Sequence, residues 1–335
     1  MKTVYMFPGQ GSQEPGMGLE LYKSNSLARS MMDRADELLG FSLTDMMFRG
    51  TEEQLKETVV AQPAIFVCSV CQALCSGAPL PDMVGGHSLG EYSALVVSKA
   101  LDYEDALLLV QSRANAMQKC CNAGLGTMAA VIGLPDAQVE AVCSEIPGVV
   151  PANYNSDGQV VISGESAAVE AASARLLESG ARLVKQLSVG GAFHSPMMEA
   201  ARKELGEAIE RTSFHNPCCP VYQNVTAAPE IDALRIKANL LSQLTSPVKW
   251  TQSVKAMISD GADCFVEFGP GDVLTGLVKR IAKSMAADVT LKKNYSAPEI
   301  MEMNVDMREV LCQSWQSPDG NDWFGEEDLG DGGFH

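Results

Sequence analysis

Met83-Val84-Gly85-Gly86-His87-Ser88-Leu89-Gly90-Glu91-Tyr92 decides how this chain is read. An apolar run ends in two glycines, a serine stands just beyond them, and a helical pattern continues from Glu91 to Ser98. That order, strand then tight turn then helix, belongs to α/β proteins, and Gly86-His87-Ser88-Leu89-Gly90 fits the G-x-S-x-G nucleophile elbow. In such an elbow the serine occupies strained backbone that only small flanking residues permit. The helix that follows offers its amides to a developing oxyanion. The pentapeptide alone is a weak signal, since glycine and serine are common in ordinary turns; the buried strand before it and the helix after it are what strengthen it.

Working outward, Val4–Phe7 reads as a first buried strand broken by Pro8 and Gly9. Helical patterns follow over 19–39, 52–59 and 64–74, and an amphipathic helix covers 103–117. After Gly124 the pattern changes to strands at 128–132, 149–153, 159–162 and 184–187, with helices at 136–144 and 166–179. This β-α-β-β-α-β series is the ferredoxin-like order. A helix at 196–211, a strand near 220–224, a helix at 231–243, a strand at 264–268 and a helix at 273–286 restore the alternation that favours a parallel sheet. The prediction is an α/β protein whose large domain, 1–124 and 191–295, has a parallel sheet bearing the elbow. A small ferredoxin-like domain, 125–190, is inserted into it, and 296–335 reads as an acidic, mobile tail.

Composition narrows the function. At 335 residues and 46% hydrophobic content the chain can bury a full core. The formal charge of -17 argues against nucleic acid, whose phosphates call for Lys and Arg. The charge is uneven: 296–335 carries ten acidic side chains against Arg308 alone. No stretch is read as a membrane span or a signal peptide, and the ten cysteines, diluted over a long chain, fit reduced cytoplasmic thiols. Cys68, Cys71 and Cys75 share a helical face without a fourth ligand, so they read as core residues and no metal is expected.

A serine nucleophile needs a base, and only four histidines are available. His87 adjoins Ser88 in the turn, His215 precedes Asn216-Pro217, and His335 ends the tail. His194, in Gly190-Gly191-Ala192-Phe193-His194-Ser195-Pro196, remains as the base, although a histidine in a loop is ordinarily structural. No acidic residue is marked by its context to orient it, and a backbone carbonyl could serve. Arg113 shares a helical stripe with Ala106, Val110 and Met117, so its guanidinium faces inward and needs an anion, either in a structural ion pair or in a ligand.

Phe7-Pro8-Gly9-Gln10-Gly11-Ser12-Gln13, Gly86-His87-Ser88-Leu89-Gly90-Glu91-Tyr92, Gly191-Ala192-Phe193-His194 and Phe268-Gly269-Pro270-Gly271 together resemble the successive motifs of malonyl-CoA:acyl carrier protein transacylases, acyltransferases of fatty acid and polyketide synthesis, over about residues 3–290. The resemblance implies transfer of malonyl from malonyl-CoA to the phosphopantetheine thiol of an acyl carrier protein, through a malonyl-Ser88 intermediate and without a cofactor. It implies a hydrolase-like large domain, His194 as base held by the main-chain carbonyl of Gln243, and an oxyanion hole from the amides of Gln10 and Leu89. Losing one such donor typically costs about 3 kcal/mol. Arg113 would grip the malonyl carboxylate, a task that suits its planar fork. Gln62 would line the pocket, His87 would bond the acyl group, and Phe193 would crowd an α-methyl branch, a discrimination worth only about 1–3 kcal/mol.

Two rival functions share some of these features. An acyl-thioester hydrolase would use the same Ser-His pair, but such enzymes usually place an acid between serine and histidine and a His- and Gly-rich oxyanion loop, neither of which is clear here. A non-catalytic binding module has no need of Ser88 and His194 together. An acidic enzyme facing an acidic carrier protein must present a basic patch; Lys279, Arg280 and Lys283 form one candidate, Arg182 and Lys185 another.

Overall fold

The computed structural model describes residues 2–122 and 124–293; the acidic tail and His335 lie outside them. In chain order, β1 (Lys2–Phe7) precedes α1 (Leu19–Ser24), α2 (Ser26–Leu39), α3 (Leu43–Arg49), α4 (Glu52–Lys56) and α5 (Thr58–Cys75). Then β2 (Met83–Gly86) turns into α6 (Gly90–Val97), and α7 (Tyr103–Asn122) follows. A second group comprises β3 (Gly126–Ile132), α8 (Asp136–Glu145), β4 (Val149–Ser156), β5 (Gln159–Glu165), α9 (Ser166–Glu178) and β6 (Leu183–Gln186). The chain ends its described course with α10 (Glu199–Arg211), β7 (Val221–Tyr222), β8 (Pro229–Glu230), α11 (Ala233–Ser242), α12 (Trp250–Ser259), β9 (Ala262–Glu267), α13 (Val273–Ser284) and β10 (Thr290–Lys293).

Six strands form one sheet in the order β10-β9-β1-β2-β7-β8, parallel except where β8 returns against β7. Strand β1 lies inside it and is apolar on both faces, as a covered parallel strand must be. Its period of two sorts the core. Val4 and Met6 pack on one side with Trp250, Phe265 and Ile281, while Tyr5 and Phe7 pack on the other with Phe66, Leu95 and Phe268. Truncating Phe7, which is fully buried, would cost about 3–5 kcal/mol.

The other four strands pair antiparallel in the order β4-β5-β3-β6, the ferredoxin-like arrangement, with Val139 of α8 and Val169 and Leu176 of α9 packed on one face. Strand β4 also ties this sheet to the connection that precedes α12. Tyr154 N–H donates to Val248 C=O at 2.9 Å, and Val248 N–H donates to Ala152 C=O at 2.8 Å. The α/β class, the parallel sheet and the small ferredoxin-like sheet follow the sequence expectation.

Several boundaries differ from it. The helix expected over 19–39 breaks at Asn25, whose side chain accepts the Ala28 amide at 3.0 Å and so caps a new helix. The helix expected at 64–74 instead begins at Thr58 and runs through Pro63. One missing hydrogen bond, about 3 kcal/mol at a proline, is outweighed by a helix buried along most of its length. This helix, α5, is long and apolar enough to cross a membrane, yet 78% of it is buried in the core. Helix α12 went unpredicted although Trp250, Val254 and Met257 trace a helical stripe. So did β10, a four-residue strand at the sheet edge with two lysines among its residues.

Candidate active site

Two backbone facts place the nucleophile. Ser88 has φ 54°, in the left-handed region that costs a non-glycine residue about 1–3 kcal/mol. Gly86 and Gly90 are what make room for it. A Cβ on Gly86 would fall 1.9 Å from the main chain of Gly90, and one on Gly90 would fall 2.0 Å from the Phe7 carbonyl oxygen. The elbow is therefore clamped between its own helix and the end of β1. Ser88 N–H donates to Asn224 Oδ1 at 2.7 Å and Ser88 C=O accepts from Gln243 Nε2 at 2.9 Å, so both sides of the strained residue are held.

Ser88 Oγ lies 2.7 Å from His194 Nε2, and His194 Nδ1 lies 3.0 Å from the Gln243 carbonyl oxygen. A carbonyl only accepts, so Nδ1 carries the proton and Nε2 is free to take the serine's. His194 also has a left-handed backbone, φ 57°. Burial, and then the charge of Arg113, pull its pKa down to about 3, against the opposing pull of the Gln243 carbonyl. The imidazole is a neutral base throughout the physiological range.

Arg113 is fully buried and stands beside the nucleophile. Its Nη2 donates to Ser88 Oγ at 2.9 Å and to Gln243 Oε1 at 3.3 Å, and its Nη1 donates to Gln62 Oε1 at 2.7 Å. Among the described residues it forms no ion pair, and its Nε has no partner. A buried guanidinium bonded only to neutral groups, with the Glu91 carboxylate beyond the Gln243 side chain, carries charge that is only partly matched. Burial lowers its pKa.

Ser88, His194 and Arg113 line one cleft of ≈ 330 Å³ between the two sheets, whereas Gln62, expected in its wall, is fully buried behind Arg113 and does not border it. Gln10, His87, Ser88, Arg113, Phe193 and His194 all border it. The Gln10 and Leu89 amides are not spent on any turn or cap bond among the described residues. Gly9 brings the first of these loops close, since a Cβ there would meet the His87 carbonyl oxygen at 2.5 Å. His87 turns away from Ser88 to bond Asn155 of β4 at 2.8 Å, joining the two sheets, and burial keeps its pKa low. Phe193 is buried in the wall. At the mouth, α13 is fixed by Glu267, whose carboxylate accepts the Leu274 and Thr275 amides at 3.0 and 2.7 Å, and it presents Val273, Leu277 and Arg280. No thiol competes with Ser88 here: Cys121, against Gly190 and Gly191, is pushed up to about 11 by burial.

Sequence reasoning missed a layer beneath the site. Glu91 is fully buried and accepts the Asn224 amide at 2.9 Å, Gln223 Nε2 at 2.9 Å and Gln243 Nε2 at 3.1 Å. Asn224 in turn donates to the Gly86 carbonyl at 2.6 Å. An acid inside an otherwise apolar helix was the available signal for Glu91. Nothing local marks Asn224 or the Gln243 side chain. Gly190 and Gly191, ahead of the base, adopt no left-handed conformation; they permit close approach to Cys121.

Comparison with known proteins matches residues 4–310 to the acyl transferase domain family, past the limit near 290 expected from the motifs. The malonyl CoA-acyl carrier protein transacylase of Bacillus subtilis is 38% identical over 310 residues, covering 91% of this chain and 96% of that protein. Among solved structures, an acyl carrier protein S-malonyltransferase of Vibrio cholerae superposes with a TM-score of 0.85 at 38% identity, covering 89% of this chain and 98% of that one. A malonyl-transacylase solved in complex with its type II polyketide synthase acyl-carrier protein has a TM-score of 0.82 at 36% identity, covering 88% of this chain and 95% of the other.

Proposed function

We propose that this chain, which belongs to the acyl transferase domain family, moves a malonyl group from malonyl-CoA to the phosphopantetheine thiol of an acyl carrier protein. The observation that carries this reading is the unpaired, buried Arg113 set 2.9 Å from a serine that is itself 2.7 Å from a neutral histidine. In a malonyl ester the free carboxylate lies only two carbons from the reacting carbonyl. An arginine that grips it must therefore sit next to the nucleophile, and Gln62 holds the fork in place.

In the first half-reaction Ser88 Oγ attacks the thioester carbonyl and His194 Nε2 takes its proton. The oxyanion rests on the Gln10 and Leu89 amides, and the CoA thiolate leaves with the proton from His194. Arg113 exchanges its bond to Ser88 Oγ for the malonyl carboxylate. In the second half the pantetheine thiol gives its proton to His194, attacks the malonyl ester, and Ser88 regains its hydroxyl. Each proton and each developing charge has a protein group to meet it, so the cycle needs no cofactor. We read the two sheets as the two domains anticipated from sequence, 1–124 with 191–295 and 125–190, and the protein as cytoplasmic, where its CoA ester would be supplied.

The carrier protein reaches the mouth beside α13. Arg280 borders the catalytic cleft and donates to Gln159 Oε1 at 2.9 Å, and Arg182 and Arg280 share the wall of a second cavity of ≈ 660 Å³ adjoining it. One arginine of each candidate patch thus borders the second cavity, where an acidic partner would dock with salt-dependent affinity.

Incubation with malonyl-CoA should add one malonyl mass to the protein, on the peptide containing Ser88, and Ser88→Ala should abolish it. Labelling that persists in the variant would overturn the assignment of the nucleophile. Rapid CoA release without carrier protein would favour a hydrolase.

A further inference from the structure

Glu91, Asn224 and Gln243 form one buried hydrogen-bonded unit that reaches the nucleophile, the base and Arg113. Through Asn224 it reaches the nucleophile: Asn224 Oδ1 holds Ser88 N–H and Asn224 Nδ2 holds the carbonyl of Gly86, two residues before it. Through Gln243 it reaches the rest. The Gln243 main-chain carbonyl holds His194, its Oε1 accepts from Arg113, and its Nε2 donates to Ser88 C=O and to Glu91. Glu91 is the one titratable group in the unit; burial raises its pKa, and the three N–H donors it accepts from favour the carboxylate. It is also the buried carboxylate nearest in bonding to the unpaired Arg113, one amide group away.

Resting on the acyl-transfer reading above, we infer that Glu91 is a positioning residue and the site's built-in counter-charge, acting on Ser88 through Asn224 and on Arg113 and His194 through Gln243. Two physical consequences follow. A serine held with φ 54° is steadied when its N–H and C=O are both fixed, and the two residues whose side chains fix them are anchored on the Glu91 carboxylate, Asn224 by its main-chain N–H and Gln243 by its Nε2. During acylation His194 becomes a cation close to the Arg113 cation. A buried carboxylate on the far side of Gln243 offsets that repulsion without touching the imidazole. The acid that sequence reading could not find beside the histidine is present, displaced by one glutamine.

The same charge also weakens the grip of Arg113 on an incoming carboxylate. Removing it therefore separates binding from chemistry. In Glu91→Gln, kcat for malonyl transfer should fall about 100-fold while KM for malonyl-CoA stays level or drops, because Arg113 is left less compensated. Asn224→Ala should lower kcat by about 10- to 100-fold with KM unchanged, since it frees the elbow at Gly86 and Ser88 while Arg113 keeps its bonds to Gln62 and Gln243. Malonyl labelling at saturation counts the competent sites, so rates are taken per labelled site and a loss of folded protein is not mistaken for slow chemistry. Wild-type kcat in Glu91→Gln would overturn the inference, and so would a fall matched by an equal rise in KM. Failure of the wild-type protein itself to label would instead sink the acyl-transfer reading on which the inference rests.

Discussion

The two strained residues of the site are held by different means. Ser88 and His194 both adopt left-handed backbone, φ 54° and 57°. Around Ser88 the hydrogen bonds from Asn224 and Gln243 are backed by close packing of main chain on main chain: Gly86 against Gly90, Gly90 against Phe7, with no room for a Cβ at either glycine. Around His194 the support is hydrogen bonding from far along the chain, through the Gln243 carbonyl 49 positions away, and the neighbouring glycines press on side chains, with main chain no nearer than 3.6 Å. Strain held by backbone contact leaves a short motif in the sequence. Strain held by distant partners leaves almost none.

The elbow is where a substitution should do most damage. In Gly90→Ala the added methyl would collide with the Phe7 carbonyl at 2.0 Å, main chain against main chain, where neither β1 nor α6 can yield without opening the central sheet. A cost above about 4 kcal/mol is expected, seen either as insoluble protein or as a roughly thousand-fold loss of malonyl labelling. A soluble variant labelling at the wild-type rate would show that the clamp is not what holds Ser88.

The base loop should answer to pH instead. Folded His194 resists protonation down to about 3, whereas in the unfolded chain it takes a proton below about 6.5. Between those values the unfolded state binds more protons, so this residue's contribution to stability is complete above pH 6.5 and is lost as pH falls toward 3. The loss is on the order of 4 kcal/mol over the whole window. Urea midpoints measured at steps from pH 7 to pH 4 should fall more steeply for the wild type than for His194→Gln; parallel slopes would mean that the imidazole is not held neutral.

The same contrast explains what could be read in advance. The elbow, the alternation of strands and helices, and the β-α-β-β-α-β series are local patterns, and each appears in the fold as expected. His194 was reached by eliminating three other histidines, a route open only because there are four. Arg113 was placed on an inward stripe, but its nearness to Ser88 depends on how α7 packs across the sheet, which periodicity does not contain. Glu91, Asn224 and Gln243 lie apart in sequence and meet only after β2, β7 and the turn following α11 are assembled. Proline at 63 misled the reading for the opposite reason: a local rule was overridden by burial.

Gly191→Ala tests the contrast from its mild side. Gly191 has no positive φ, so alanine fits its backbone without strain. The new Cβ would lie 2.9 Å from Cys121 Sγ and 3.3 Å from the Phe193 ring, both side-chain atoms that can turn aside, with main chain no nearer than 3.6 Å. Overpacking of this kind costs about 1–3 kcal/mol, and none of it falls on the bond from His194 to Gln243. The variant should fold with a lowered melting temperature and keep malonyl transfer within about five-fold of wild type, the shortfall arising as Phe193 shifts in the cleft wall. A collapse as large as that of Gly90→Ala would mean that the base loop, too, is fixed by backbone contact, and the distinction between the two halves of the site would disappear.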